Sequence, residues 1–167
     1  GLVIQASCNQ TFNLGAGKII TIDGRISLQD GTGTGGVDFG TSTVSILGWI
    51  EQLDTNGKTV DINGATVTVN GVGATADLCV NQDGGLFDIG EGRLELLNDN
   101  GPNHDASGTS TVTYNTGAVV FKGSGQSFNA GSSVTGGAGS GTVYMASGVS
   151  NQTLIGKADP DYYNLVI

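Results

Sequence analysis

Apolar and β-branched residues alternate with polar ones along most of the chain, with a period of two. The segments KIITIDGRISL (18–28), STVSILGWI (42–50), TVDINGATVTV (59–69), STVTYNTGAVVF (110–121), GTVYMA (141–146) and YYNLVI (162–167) all follow this pattern. Successive side chains of a strand point to opposite faces, so each segment predicts a strand with one buried side. Only EGRLELLND (91–99) tolerates a helical reading, and it too alternates for most of its length. The pattern predicts an all-β chain.

The strands come in echoing units. GKIITIDGRISLQDG (17–31) and GKTVDINGATVTVNG (57–71) share an opening Gly-Lys, an Ile at the sixth position, Asp or Asn at the seventh and Gly at the eighth. Fainter copies start at Gly84 and Gly117, so the starts are spaced 40, 27 and 33 residues apart. Each unit is a strand, a glycine corner and a second strand. Such a pair cannot bury its apolar face alone, and stacked copies can. We therefore expect a single domain over residues 1–167, built as a right-handed parallel β-helix of about six rungs at roughly 20 to 30 residues each. Hairpin-like turns such as DTNG (54–57), NGVG (70–73) and NDNG (98–101) keep an antiparallel β-sandwich as the alternative. The segments DGTGTGGVDFG (30–40) and NDNGPNHDASG (98–108) are expected as loops inserted on one face, with GTGTGG (31–36) flexible.

Composition refines this picture. Glycine makes up 30 of 167 residues, more than double the average usage of about 7%. No collagen period accompanies it, so its role is turn chemistry. The net charge of −9 and the absence of a basic patch argue against binding a phosphate backbone. The longest apolar run, SILGWI (45–50), is far too short to span a bilayer, so neither nucleic acid nor membrane insertion is expected. Abundant Gly, Thr, Ser and Asn with few Lys suit an exported chain. GLVIQA starts in a strand and YYNLVI stops in one, which suggests either a fragment of a longer solenoid or a subunit that associates head to tail. Cys8 and Cys79 permit one disulfide; on rungs two or three apart their Cα atoms would stand about 10 to 14 Å apart, beyond bridging range, so a β-helix predicts none.

The unit at 57–71 and the C-terminal GTVYMASGVSNQTLIGKADPDYYNLVI (141–167) resemble units of large secreted surface proteins and adhesins of bacteria, particularly of the Bacteroidetes type. The second segment carries a Thr-Val-Tyr strand, then Asn151-Gln152-Thr153-Leu154, then Tyr162-Tyr163-Asn164-Leu165. The loop at 155–161 is longer than in that pattern, and the middle of the chain has no counterpart in it. The resemblance implies a β-helical module of an exported surface protein, with surface glycans as potential partners and no catalytic residues to carry over.

Candidate chemistry is sparse. Asp54, Asn56, Asp61 and Asn63 echo the start of a calcium loop, but the fifth position is Lys58 and the twelfth Ala65, which breaks the EF-hand ligand set. Turn formation explains the same letters. The loop with Asn98, Asp99, Asn100, His104 and Asp105 gathers oxygens, making Asp99 and Asp105 the remaining calcium candidates, with His104 read as an exposed loop residue. No cofactor is otherwise expected. Glycoside hydrolysis needs two carboxylates about 5 to 10 Å apart; Glu91 with Glu95 and Asp159 with Asp161 are the pairs in question, and a solvated face is the better account of them. GTGTGG lacks the Lys-Ser/Thr ending of a phosphate loop, and no nucleophile elbow frames a serine. Threonine pairs at 41/43, 66/68 and 111/113 would line a stacked sheet with hydroxyls, the surface chemistry of ice binding. The expected role is a non-catalytic structural or adhesive extracellular module, possessing a capacity to form filaments; a carbohydrate-active β-helix enzyme or carbohydrate-binding module and an ice-binding protein are the alternatives.

Overall fold

The computed structural model describes residues 1–53, 57–73, 78–98, 103–107, 110–113, 115–123, 125–130, 141–146, 152–155 and 164–167, the strand segments 125–130 and 152–155 and Asn164 by backbone alone. Five turns carry three strands each. They are β1 (Leu2–Ile4), β2 (Phe12–Asn13) and β3 (Ala16–Ile22); β4 (Ile26–Leu28), β5 (Gly36–Asp38) and β6 (Thr41–Ile46); β7 (Ile50–Gln52), β8 (Thr59–Asp61) and β9 (Thr66–Val69); β10 (Val80–Asp83), β11 (Leu86–Asp88) and β12 (Arg93–Leu96); and β13 (His104–Ser107), β14 (Thr111–Thr113) and β15 (Ala118–Phe121). Two further passes follow as β16 (Gly125–Ala130) with β17 (Thr142–Met145) and β18 (Gln152–Ile155) with β19 (Asn164–Val166). The first strand of every turn joins face A, the second face B and the last face C, all paired in parallel. The chain is a β-solenoid, and the uniformly parallel pairing excludes the antiparallel sandwich.

The interior follows from the two-residue period. On face C, Ile20, Val44, Val67, Leu94, Val119 and Val143 stack in one inward column, and on face B Val37, Val60, Phe87 and Val112 do the same. All but Ile20 are buried. Each such side chain contributes about 1.5 to 3 kcal/mol by leaving water, and only stacking removes both of its open edges.

The corner between faces B and C explains the turn chemistry. It recurs as Asn13-Leu14-Gly15, Asp38-Phe39-Gly40, Asp61-Ile62-Asn63 and Asp88-Ile89-Gly90. In each, the first side chain accepts a hydrogen bond from the N–H two residues on, at 2.6, 2.7, 2.8 and 3.0 Å. The middle residue turns inward, with Phe39, Ile62 and Ile89 fully buried. The third sits in the left-handed region, at φ 83°, 61°, 53° and 60°, which selects Gly or Asn.

Two expectations need correction. The echo between 17–31 and 57–71 is not the stacking repeat: the first spans a corner from face C to face A, the second from B to C. The copies at 57 and 84 do stack, with Thr59 beside Leu86 and Thr66 beside Arg93. The underlying step is 24 residues, seen as Leu2 beside Ile26 and Ile26 beside Ile50, with one step of 30 to Val80 and then 24 again to His104. The expectation of about six rungs is close to what is observed: five turns of three strands, then two passes whose described strands lie on faces A and C. Finally, GTGTGG is an ordered layer stacked on residues 6–10. Gly33 N donates to Ala6 O at 2.9 Å, Gly35 N to Cys8 O at 2.8 Å and Thr34 N to Asn9 Oδ1 at 3.0 Å. Gly31, Gly33 and Gly35 lie where an added Cβ would meet that backbone, leaving Thr32 and Thr34 exposed. Both cysteines are free.

Candidate functional site

Of the two calcium candidates, only Asp105 belongs to the described residues. Asp99 lies outside the described residues, as do Asp54, Asn56 and Asn100. Asp105 sits half-buried at an outward position of β13, in register with Asn81 and Asn129. Among the described residues, no three His, Cys, Asp or Glu side chains come together as a group that could hold a metal ion. His104 is not a loop residue: it points inward from β13 and is 1% exposed.

Stacking creates a constellation that sequence spacing hides. Asp38, Asp61 and Asp88 form one outward column on face B, extended by Asn13 at one end and Thr113 at the other. The end carboxylates accept hydrogen bonds from these neighbours. Asn13 Nδ2 donates to Asp38 Oδ2 at 2.6 Å, while Thr113 Oγ1 and Asn115 Nδ2 each donate to Asp88 Oδ1 at 2.7 Å. Asp61 stands between two like charges and accepts from the Asn63 N–H. Burial, then the charges of Asp38 and Asp88, raise its pKa above the usual carboxylate value. These carboxylates serve as corner acceptors.

That arrangement carries a pH consequence. A carboxyl whose folded pKa is raised contributes stability that is complete below its unfolded pKa, near 3.9, and lost as pH rises through the folded value. Asp61→Asn keeps the acceptor for Asn63 N–H and removes the charge. At pH 7 it is expected to raise the urea midpoint, and to flatten the stability gained on acidification just above the ordinary carboxylate range. An unchanged pH profile would show that the column exerts no electrostatic strain.

Glu91 and Glu95 stand on different elements. Glu91 is exposed at a corner between faces B and C, whereas Glu95 is outward on face C between Arg93 Nε at 2.8 Å and Lys122 Nζ at 2.7 Å. Desolvation works against its charge, but these two cations prevail and lower its pKa. Asp159 and Asp161 lie outside the described residues. Beside Glu91 runs an open groove of about 250 Å³, floored by Gly64, Gly92 and Gly117 and edged by Arg93. The threonines divide as well. Thr43 lies beside Thr66, and Thr21, Ser45 and Thr68 form the next column, all on face C; Thr111 and Thr113 belong to face B. On turn four Arg93 and Glu95 replace the hydroxyls.

Two internal clamps escaped sequence reasoning. Gln52 Nε2, fully buried, donates to Lys58 O at 2.7 Å and Leu86 O at 3.1 Å. One turn on, Gln82 Nε2 donates to Gly85 O and Thr111 O, both at 3.1 Å. Each glutamine holds the corner from face A to face B in its own turn and in the next. Lys58, also fully buried, reaches Ala6 O two turns away at 3.3 Å. The period-two pattern was the available signal, since Gln52 and Gln82 occupy the inward phase of their strands. The first turn is open, with a pocket of about 400 Å³ lined by Leu2, Phe12, Leu14, Ile20 and Ile22. Compared with known proteins, the chain matches no family model, no curated protein and no solved structure.

Proposed function

We propose that this chain is a non-catalytic structural or adhesive module of a bacterial extracellular or cell-surface protein. The observation that supports it is the unbroken parallel stack of faces A and C through seven strands each. Six steps of about 4.8 Å separate the outer strands of such a face by roughly 29 Å, so the fold supplies length and stiffness through backbone hydrogen bonds. Inward columns of one chemistry run the length of face C, which suits end-on association of copies. Outward corners and the groove beside Glu91 are where surface glycans would make contact. Electron microscopy of purified protein with sedimentation analysis tests the structural reading: rods or fibres support it, and compact monodisperse particles at all concentrations oppose it. Polysaccharide turnover that a single carboxylate substitution abolishes would establish the carbohydrate-active alternative instead.

One observation favours a second reading. Thr21, Thr43, Ser45, Thr66 and Thr68 form an uncharged two-column grid of hydroxyls on a rigid sheet, the arrangement that ice binding requires. Thermal hysteresis lost in Thr43→Lys would support it, and no hysteresis at millimolar protein would dismiss it.

A further inference from the structure

At the corner between faces B and C the left-handed position is Gly15, Gly40 and Gly90 in turns one, two and four, but Asn63 in turn three and Asn115 in turn five. Thr116 follows Asn115, whereas Gly64 follows Asn63. With no Cβ on the glycine, its backbone nitrogen can approach the amide carbon of the asparagine before it. Such Asn-Gly steps occur at 56, 63, 70 and 100, and Asn56 and Asn100 lie outside the described residues. The other two differ in how they are held. Asn63 and Gly64 are both exposed, and Gly64 lines the open groove beside Glu91. The Asn63 side-chain amide makes no hydrogen bond among the described residues; its backbone is tied by Gly64 N donating to Gly40 O at 3.0 Å and Glu91 N donating to Asn63 O at 2.8 Å. Asn70 is half-buried and clamped. Its Nδ2 donates to Ile46 O at 3.3 Å, Gly71 N donates to Gly48 O at 2.7 Å, and Gly71 O accepts from Asn98 Nδ2 at 3.3 Å.

We propose that Asn63–Gly64 is a site of spontaneous covalent modification that converts the corner of turn three to aspartate and isoaspartate. When the Gly64 N–H leaves Gly40 O, a base in the solvent takes its proton and the nitrogen attacks Asn63 Cγ. The new C–N bond closes a five-membered imide, and the side-chain nitrogen departs as ammonia, taking a proton from water. Water then adds to one of the two imide carbonyls and breaks one C–N bond. Cleavage at Cγ gives aspartate; cleavage at the Asn63 backbone carbonyl routes the chain through Cβ and gives isoaspartate. Either product adds a negative charge at the corner that already carries Asp61 and Glu91. In isoaspartate the main chain also gains a methylene between Ile62 and Ala65, whose N–H to O bond of 2.9 Å closes this corner. The carbonyl that accepts the Glu91 N–H becomes a carboxylate off the main chain. The modified corner therefore loosens where turn three meets its neighbours.

Incubation of the folded full chain at pH 8, followed by peptide mapping for aspartate and isoaspartate, tests the site. Asn63 is expected to convert about tenfold or more ahead of Asn70, where the bonds to Ile46 O and from Asn98 Nδ2 must break as well. Asn63→Gly, which installs the residue of turns one, two and four, is expected to remove isoaspartate from this corner alone. Amide exchange of the converted fraction, separated by its added charge, is expected to show lost protection over residues 62–66. Conversion of Asn70 as fast as Asn63 in the folded chain overturns the site, as does an Asn63 that stays intact while the urea-unfolded chain converts. Unchanged exchange in the converted fraction overturns the loosening.

Discussion

Gly40→Ala is expected to destabilise the solenoid by about 3 kcal/mol or more, the largest effect of any single-methyl change described here. Two causes add. Gly40 has φ 61°, where an L-residue costs about 1 to 2 kcal/mol. Its added Cβ would also be driven into the Gly15 carbonyl oxygen of the turn before. That oxygen accepts the Thr41 N–H at 3.2 Å, so moving it away breaks the contact that keeps turns one and two in step. Gly17→Ala is the control, because Gly17 shares the conformation at φ 64° but has open space around it. It is expected to cost only the backbone term, about 1 to 2 kcal/mol. Urea unfolding of the two variants side by side isolates the stacking contribution; equal midpoints would mean that the turns can separate at that corner without penalty.

Gln82→Leu is the second large effect. Leucine nearly preserves the side-chain volume but removes every polar atom. The Gly85 carbonyl keeps the Thr111 N–H but loses the glutamine, the half-buried Thr111 carbonyl loses the glutamine donor, and the buried His104 Nε2 loses its acceptor. An orphaned buried group costs about 1 to 3 kcal/mol, so the partners lost at Thr111 and His104 place the loss at about 2 kcal/mol or above. Gln82→Glu separates hydrogen bonding from packing: it keeps the shape but brings a buried carboxylate, and is expected to be worse at pH 7 than at pH 5. A Gln82→Leu variant as stable as the parent would show that the corners of turns four and five hold without the clamp. Additivity with Gly40→Ala is expected, since the two sites sit at different corners and share no hydrogen-bond partner.

The fold was legible from alternation and glycine corners, because both are local and each strand states its own buried phase. The stacking register was not. Every corner of the coil draws on Gly, Asn and Asp for the same backbone reason, so GKIITIDG and GKTVDING look alike although they turn between different faces. The three-residue corner with Asp38-Phe39-Gly40, Asp61-Ile62-Asn63 and Asp88-Ile89-Gly90 would have revealed the repeat, but its steps of 23 and 27 residues blur the 24-residue period elsewhere. The aspartate column is likewise a product of stacking: residues more than twenty positions apart become neighbours only once the coil closes. His104 was misplaced because NDNGPN precedes it and suggests a loop. The alternation of His104 and Ala106 with Asp105 and Ser107 was the signal that it points inward.

The parallel stack itself is most directly tested by distances between outward positions of one face C column. Ile19, Thr43, Thr66, Arg93, Ala118 and Thr142 follow one another strand by strand. Spin labels placed at Ile19 and, in turn, at Arg93, Ala118 and Thr142 should give backbone separations of about 14, about 19 and about 24 Å, rising by one strand spacing at each step. Separations that fail to rise in that order, as strands folded back in an antiparallel sandwich would give, contradict the solenoid.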